Sequence, residues 1–190
     1  MQLETNRLIL RKARKSDCED IIEGASPLQI AQWMTTLPHT YQKSDAEWFI
    51  QDSIKKWNKK TNFTFFIELK SEKKVIGVIT LGGINTFSGT ATTGSWVNKK
   101  YHKKGYMTEA KIAANDFAFN ELKLTRLNST VFVSNKASNA TQIKMGYQLE
   151  GMSRKAQRSK ATGKTHDINI YGLLKEDWKK VRHHLLNKDR

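Results

Sequence analysis

ATTGSWVNKK (residues 91–100), YHKKGYMTEA (101–110) and KIAANDFAFNEL (111–122) form one continuous stretch whose period changes midway. The first part alternates and is rich in Thr, Trp and Val, which reads as a strand. The last part places Ala110, Ala113, Ala114, Phe117 and Ala118 at i, i+3, i+4, i+7 and i+8, the apolar stripe of a helix. Between them lies His102-Lys103-Lys104-Gly105-Tyr106-Met107-Thr108, with one glycine at the mouth of the helix. A helix start leaves backbone N–H groups without intrahelical partners and carries partial positive charge. A glycine lets the backbone approach a ligand, and two lysines add charge, so a phosphate or pyrophosphate suits the place. The same residues also describe an ordinary strand-to-helix turn with a solvated Lys-Lys pair.

The stretch resembles the acetyl-CoA signature of the GNAT superfamily of N-acetyltransferases, Gln/Arg-x-x-Gly-x-Gly/Ala. It is most similar to the ribosomal-protein N-terminal acetyltransferase branch (RimJ/RimL-like), which reads Tyr-x-x-Lys-Gly-Tyr-x-Thr-Glu-Ala. Here those positions are Tyr101, Lys104, Gly105, Tyr106, Thr108, Glu109 and Ala110. His102 stands where Gln or Arg is usual, and Met107 where Gly or Ala is.

Three further stretches match the same branch in order. Leu3-x-Thr5-x-Arg7-Leu8-x-Leu10-Arg11, followed by Asp17, is similar to its opening. Asn135-x-x-Ser138, then Met145-Gly146-Tyr147 and Glu150-Gly151, resembles its Asn-x-x-Ser…Gly-Phe…Glu-Gly. His166-Asp167 leading to Tyr171-Gly172-Leu173-Leu174 and Trp178 resembles its last strand and exit. The resemblance implies a three-layer α+β domain over residues 1–190: the GNAT fold, a mixed, mostly antiparallel sheet of about seven strands with flanking helices.

The local patterns agree with such a fold. Leu3–Arg11 reads as a first strand with Leu8 and Leu10 on one face, and Ser16-Asp17 opens a short helix. Pro27 and Pro38 bracket a segment carrying Ile30, Trp33 and Met34. Ser44-x-x-Glu47 has the form of a capping box before a helix whose Trp48, Phe49, Ile54 and Trp57 read as core. Phe63–Leu69 and Val75–Leu81 suggest a hairpin, and Arg126–Val133 another strand. A helix runs from Asn135 to Gly146, strands cover 147–149 and 168–174 with a polar loop between, and a last helix carries Trp178, Val181 and Leu185.

Composition narrows the class. The 190 residues are 38% apolar with mean hydropathy −0.63, and no apolar run nears the roughly 18 residues of a membrane span. Cys18 is the only cysteine and the start lacks a signal-peptide pattern, so a cytoplasmic protein without an intrachain disulfide is expected. Thirty-three Lys and Arg against eighteen Asp and Glu give +15, which favours acidic partners. A polycationic acceptor such as a polyamine is disfavoured unless a local acidic pocket exists. Arg154, Lys155, Arg158, Lys160 and Lys164 crowd one segment with no acid between Gly151 and Thr165. The doublet His183-His184 lacks i,i+4 partners, so no metal is expected.

The chemistry implied by the resemblance is direct attack of a primary amine on the thioester of acetyl-CoA. Such a reaction needs proximity, polarisation of the carbonyl oxygen, a route for the amine proton and an acid for the sulfur. The family places the pantetheine against the backbone of Trp96, Val97 and Asn98, and the pyrophosphate on the N–H groups of residues 102–108, here His102, Lys103, Lys104, Gly105, Tyr106, Met107 and Thr108. Asn135 and Ser138 are the implied catalytic and cofactor-contacting pair, with Ser138 the acid at the thiolate; the alternative is a hydroxyl that caps a helix. Many other members carry a Tyr seven residues after that Asn, where this chain has Gln142. The branch often has a Glu base at the position of Thr92 and a Tyr at that of Ser95, which leaves water, His166 or Asp167 to take the proton. The resemblance implies a protein N-terminal amine as acceptor, the +15 charge favours an acidic protein or peptide, and the enzyme itself is expected to be a monomer or homodimer. A basic ribosome- or nucleic-acid-binding module on the same fold and an acetyltransferase of small amines are the rivals, although no zinc-finger or RNP-type signature supports nucleic-acid binding.

Overall fold

The computed structural model describes residues 1–187. Eight strands form one sheet in the order β1-β2-β3-β4-β5-β6-β8-β7. They are β1 (Gln2–Glu4), β2 (Leu8–Arg11), β3 (Phe63–Leu69), β4 (Lys74–Asn85), β5 (Thr90–Val97), β6 (Arg126–Phe132), β7 (Gln148–Arg158) and β8 (Thr165–Leu174). The helices are α1 (Cys18–Ala25), α2 (Leu28–Ala31), α3 (Lys43–Asn58), α4 (Tyr106–Asp116), α5 (Lys136–Lys144) and α6 (Lys175–Asn187). Every neighbouring pair of strands is antiparallel except β5 and β6, which α4 connects. That exception makes the sheet mixed, because a crossover helix is what joins parallel neighbours.

Helices cover both faces of the sheet. Consecutive residues of a strand point to opposite faces, and Phe65 and Phe66 show it. Phe65 packs in the core under α4 and α6 with Leu8, Phe117 and Trp178. Phe66 packs in the other core with Ile21 of α1, Ile30 of α2 and Ile50 of α3. Trp57 at the end of α3 crosses into the first core, edge-on to Phe63 and Phe65 with centroids at 5.0 Å.

Four details differ from the pattern read in the sequence. The sheet has eight strands where about seven were expected, because the opening segment breaks at Thr5-Asn6-Arg7 into β1 and β2. The polar stretch after Leu149 is largely β-structure, so only residues 159–164 form the loop between β7 and β8. β7 is an edge strand, and a solvated edge tolerates charge. The cap of α3 lies two residues before the expected box: the Gln42 N–H donates to Asp45 Oδ2 at 2.9 Å. Glu47 instead sits 3.9 Å from Lys43, one turn away. Finally, Trp48 is not core; it is 66% exposed.

Candidate active site

Strands β5 and β6 pair only at Thr90–Arg126, Ala91–Leu127 and Thr92–Asn128. Both continue beyond that point, β5 to Val97 and β6 to Phe132, but without ladder partners for each other. The sheet therefore splays, and one edge of β5 is open. Backbone groups alternate between the two edges of a strand. The Asn98 N–H is committed to Ile76 O on the β4 side (2.8 Å), so Trp96 shares that orientation, while Ser95 and Val97 turn theirs to the open edge. Val97 O accepts from His102 Nε2 at 2.9 Å, which requires the proton on Nε2 and folds the following turn back onto the strand. Of the three residues expected against the pantetheine, Val97 keeps an open N–H, its carbonyl being taken by His102. Asn98 is only 4% exposed. Its side chain donates to Glu23 and accepts from the Lys100 N–H. The Trp96 indole packs against α1, where a Cβ at Gly24 would come within 2.5 Å of it.

Beyond this strand, Gly105 caps α4 with φ +82°, a left-handed conformation that strains any residue with a Cβ. The first intrahelical bond is Glu109 N–H to Gly105 O (3.0 Å), which leaves the N–H groups of Tyr106, Met107 and Thr108 without helical acceptors. Lys103 and Lys104 are exposed beside them. Donors, cations and a close-approach glycine fit a pyrophosphate.

The opening of the chain braces this helix start. Glu109 Oε1 accepts from Thr5 Oγ1 (2.6 Å) and Arg7 N (2.8 Å), and its Oε2 from Arg7 Nε (2.7 Å). Arg7 Nη1 donates to Lys104 O (3.0 Å), and the guanidinium lies 4.5 Å from the Tyr106 ring centre. Burial alone would raise the Glu109 carboxyl, but the hydrogen bonds from Thr5 and Arg7 hold it below the ordinary carboxylate value. Two separate sequence matches, Thr5-x-Arg7 and Thr108-Glu109, thus meet in one cluster.

Across the splay, Asn135 caps α5 through its side-chain oxygen, which accepts the Ser138 N–H at 3.1 Å. The Ser138 hydroxyl is therefore not the cap, and it makes no hydrogen bond among the described residues. One turn later on the same face is Gln142, buried, donating to Ser129 Oγ at 2.5 Å. Its Oε1 accepts from Lys111 Nζ at 3.0 Å. Lys111 is only 5% exposed and has no carboxylate partner among the described residues. Burial pushes its ammonium down to about 8. The Tyr147 ring lies 5.8 Å from that ammonium, and its hydroxyl is 3.2 Å from Thr93 Oγ1. Burial raises the Tyr147 phenol, with the Thr93 contact opposing it. A lysine among alanines reads as a solvent-facing helix position, so the sequence hid this buried cation.

A cleft of about 250 Å³ opens on the α1–α3 side of the splay. Its floor is Val78 and Thr80 of β4 with Gly94, Ser95 and Trp96 of β5. Its walls are Met34, Leu37, Pro38 and Tyr41 before α3, and Asp45, Trp48 and Phe49 in the first two turns of α3. Lys160, from the β7–β8 turn, completes the rim. A Cβ at Gly94 would meet nothing within 4 Å, so the floor is open there. Thr92 lies outside the cleft, with its hydroxyl donated to Gly82 O (3.0 Å). His166 stacks on Phe132 at 4.3 Å, and Asp167 accepts the Lys155 N–H at 2.7 Å; neither lines the cleft. Asp45, which its sequence pattern does not single out, is the carboxylate that does.

The sequence profile of the acetyltransferase (GNAT) domain matches residues 7–148. The chain belongs to the GNAT acetyltransferase family. It is an acetyl-CoA-dependent N-acetyltransferase by that membership. YdaF of Bacillus subtilis (strain 168), provisionally named a ribosomal N-acetyltransferase, is 29% identical over 176 residues, 92% of each chain. The microcin C7 self-immunity acetyltransferase MccE, solved with acetyl-CoA and AMP, superposes with a TM-score of 0.79 at 25% identity, over 90% of this chain and 93% of that one. The ribosomal-protein-S5-alanine acetyltransferase of Vibrio fischeri shares the fold at TM-score 0.78 and 19% identity, over 94% of this chain and 98% of that one. For this GNAT enzyme, acetyl-CoA is the co-substrate. Among the described residues, no group of His, Cys, Asp and Glu is placed to hold a metal ion, and no helix is long and apolar enough to cross a membrane.

Proposed function

We propose that this GNAT enzyme acetylates the N-terminal amine of a protein or peptide. The observation that carries the reading is the cleft. It runs from solvent to Gly94-Ser95-Trp96, on the strand whose other edge is open, so an amine entering it arrives beside a thioester lying in the splay. The provisional ribosomal name of YdaF supports a protein acceptor.

Acetyl-CoA supplies an activated acyl group; the chain positions it and manages protons. The N–H groups of Tyr106, Met107 and Thr108, with Lys103 and Lys104, hold the pyrophosphate. The backbone of Ser95 and Val97 at the open edge holds the pantetheine arm and polarises the carbonyl oxygen. His102 keeps the turn folded so that both contacts are in register. The amine lone pair forms the new C–N bond, the C–S bond breaks, and the electron pair leaves with sulfur. The amine proton passes to water or to Asp45 in the cleft. Ser138, whose hydroxyl has no partner among the described residues, donates a proton to the sulfur and regains one from solvent.

A second reading, a small-molecule amine, is favoured by the exposed Trp48 at the cleft mouth and by the likeness to MccE. Thiol release from acetyl-CoA, followed with a peptide panel and an amine panel, separates the two. Mass spectrometry should find the acetyl group on peptide N-termini. Turnover confined to small amines would establish the second reading in its place.

A further inference from the structure

Resting on the N-terminal reading, we infer that the acceptor's leading residue is large and apolar, with an acidic residue close behind it. The cleft next to the transfer point is walled by Met34, Leu37, Trp48 and Phe49. Phe49 is fixed from behind by stacking on Phe66, with centroids 5.7 Å apart, while the Trp48 ring stands free in solvent. A side chain as small as alanine or serine would leave these surfaces wet. A Met, Phe or Trp side chain would cover them, and each methylene removed from water contributes to the preference.

Charge orders the rest of the peptide. Asp45 and Lys160 are the two charged residues lining the cleft. Asp45 Oδ2 accepts the Gln42 N–H at 2.9 Å; the carboxylate is in no ion pair among the described residues, which leaves it available to a terminal ammonium. Lys160 likewise has no ion-pair partner among the described residues, and it stands at the turn of the hairpin that carries Arg154 and Lys164. A carboxylate one or two residues behind the amine meets these cations. A single acidic wall for the amine and a basic rim for the residues behind it fix the direction in which the peptide enters.

The test is a peptide series of one body sequence with Met, Phe, Trp, Ser or Ala leading, each with Glu or Lys in third place. kcat/KM is measured for the native enzyme and for Trp48→Ala. The Met, Phe and Trp peptides should exceed the Ser and Ala peptides by about tenfold or more. Glu in third place should exceed Lys. In Trp48→Ala the apolar preference should shrink to about threefold or less. Trp48 is exposed, so the variant should fold, and an unchanged CoA-induced rise in melting temperature checks that its cofactor site is intact. Equal or greater rates for the Ser and Ala peptides would overturn the inference while leaving the N-terminal reading standing. Acetylation of no peptide at all would overturn both.

Discussion

The Lys111 ammonium is held inside the domain by the Gln142 side-chain oxygen at 3.0 Å, and no carboxylate among the described residues neutralises it. A buried, uncompensated charge is costly, and its folded-state pKa falls accordingly. Here it falls to about 8, while an unfolded lysine titrates near 10.4.

Stability is therefore tied to pH through this one group. Below about pH 8 both states carry the proton and folding bears the full cost, on the order of 3 kcal/mol. Between about 8 and 10.4 the unfolded chain binds more protons than the folded one, so stability rises with pH. Lys111→Met removes the charge but strands the Gln142 oxygen, which costs about 1–3 kcal/mol. The variant should therefore be comparable to or more stable than the parent at about pH 7 and less stable near pH 10. Urea unfolding of both proteins across that range measures the crossing. A difference independent of pH would show that Lys111 does not titrate there.

Gly105 cannot be replaced at no cost. Its φ of +82° strains any β-branched residue, and its Cβ would lie 3.2 Å from Arg7 Nη2, the group that braces the loop. Gly105→Val should lower stability by about 1–3 kcal/mol and weaken CoA binding by more than about tenfold. Calorimetry on the folded variant reads the second effect directly, and an unchanged affinity would remove the pyrophosphate from this turn.

Ser138 offers a cleaner separation, because Asn135 and not Ser138 caps α5. Ser138→Ala should leave both melting temperature and CoA affinity near their original values. If the hydroxyl protonates the sulfur, kcat should drop by about 10²-fold, the lower end for general acids, since water can substitute in part. Normal turnover would leave Ser138 without a catalytic part.

The basic hairpin predicts a salt effect. Arg154 and Lys164 make no side-chain hydrogen bond or ion pair among the described residues, whereas Arg158 Nε ties the turn to Gly163 O at 2.6 Å. Arg154→Glu with Lys164→Glu therefore reverses charge without untying the hairpin. At low salt, kcat/KM for an acidic peptide should fall in the double variant by about as much as raising salt lowers it in the parent, because the Debye length shrinks to about 10 Å at about 0.1 M. A small neutral amine should show neither loss.

Local pattern made the organising unit legible: β5, the turn at Gly105 and α4 all lie where alternation, glycine and the alanine stripe put them. It did not reveal that Thr5 and Arg7 bind Glu109, because periodicity says which face of an element is apolar and not which distant element covers it. Trp48 was decidable in principle. At about 100° per residue, Phe49, Ile50, Ile54 and Trp57 fall on one side of the helix and Trp48 on the opposite side. The charged run after Gly151 reads as a loop because charge argues against a buried strand, yet an edge strand remains solvated. Asp45 was hidden twice: Ser44-x-x-Glu47 has the stronger capping pattern two residues further on, and a carboxylate facing a cleft has no spacing of its own.

Three residue pairs at the β5–β6 contact are all the ladder that joins the five strands β1–β5 to the group β6, β8 and β7. Beyond them Thr93 Oγ1 still reaches Asn128 O at 3.3 Å and His102 meets Val97 O, but the Ser95 and Val97 N–H groups on that seam are left for something outside the chain to meet. A molecule laid there and gripped from both sides would act as a missing strand, making two loosely stitched halves resist opening as one body. Amide exchange along β5 and β6 would then slow together when CoA binds, although the two strands belong to different halves of the sheet.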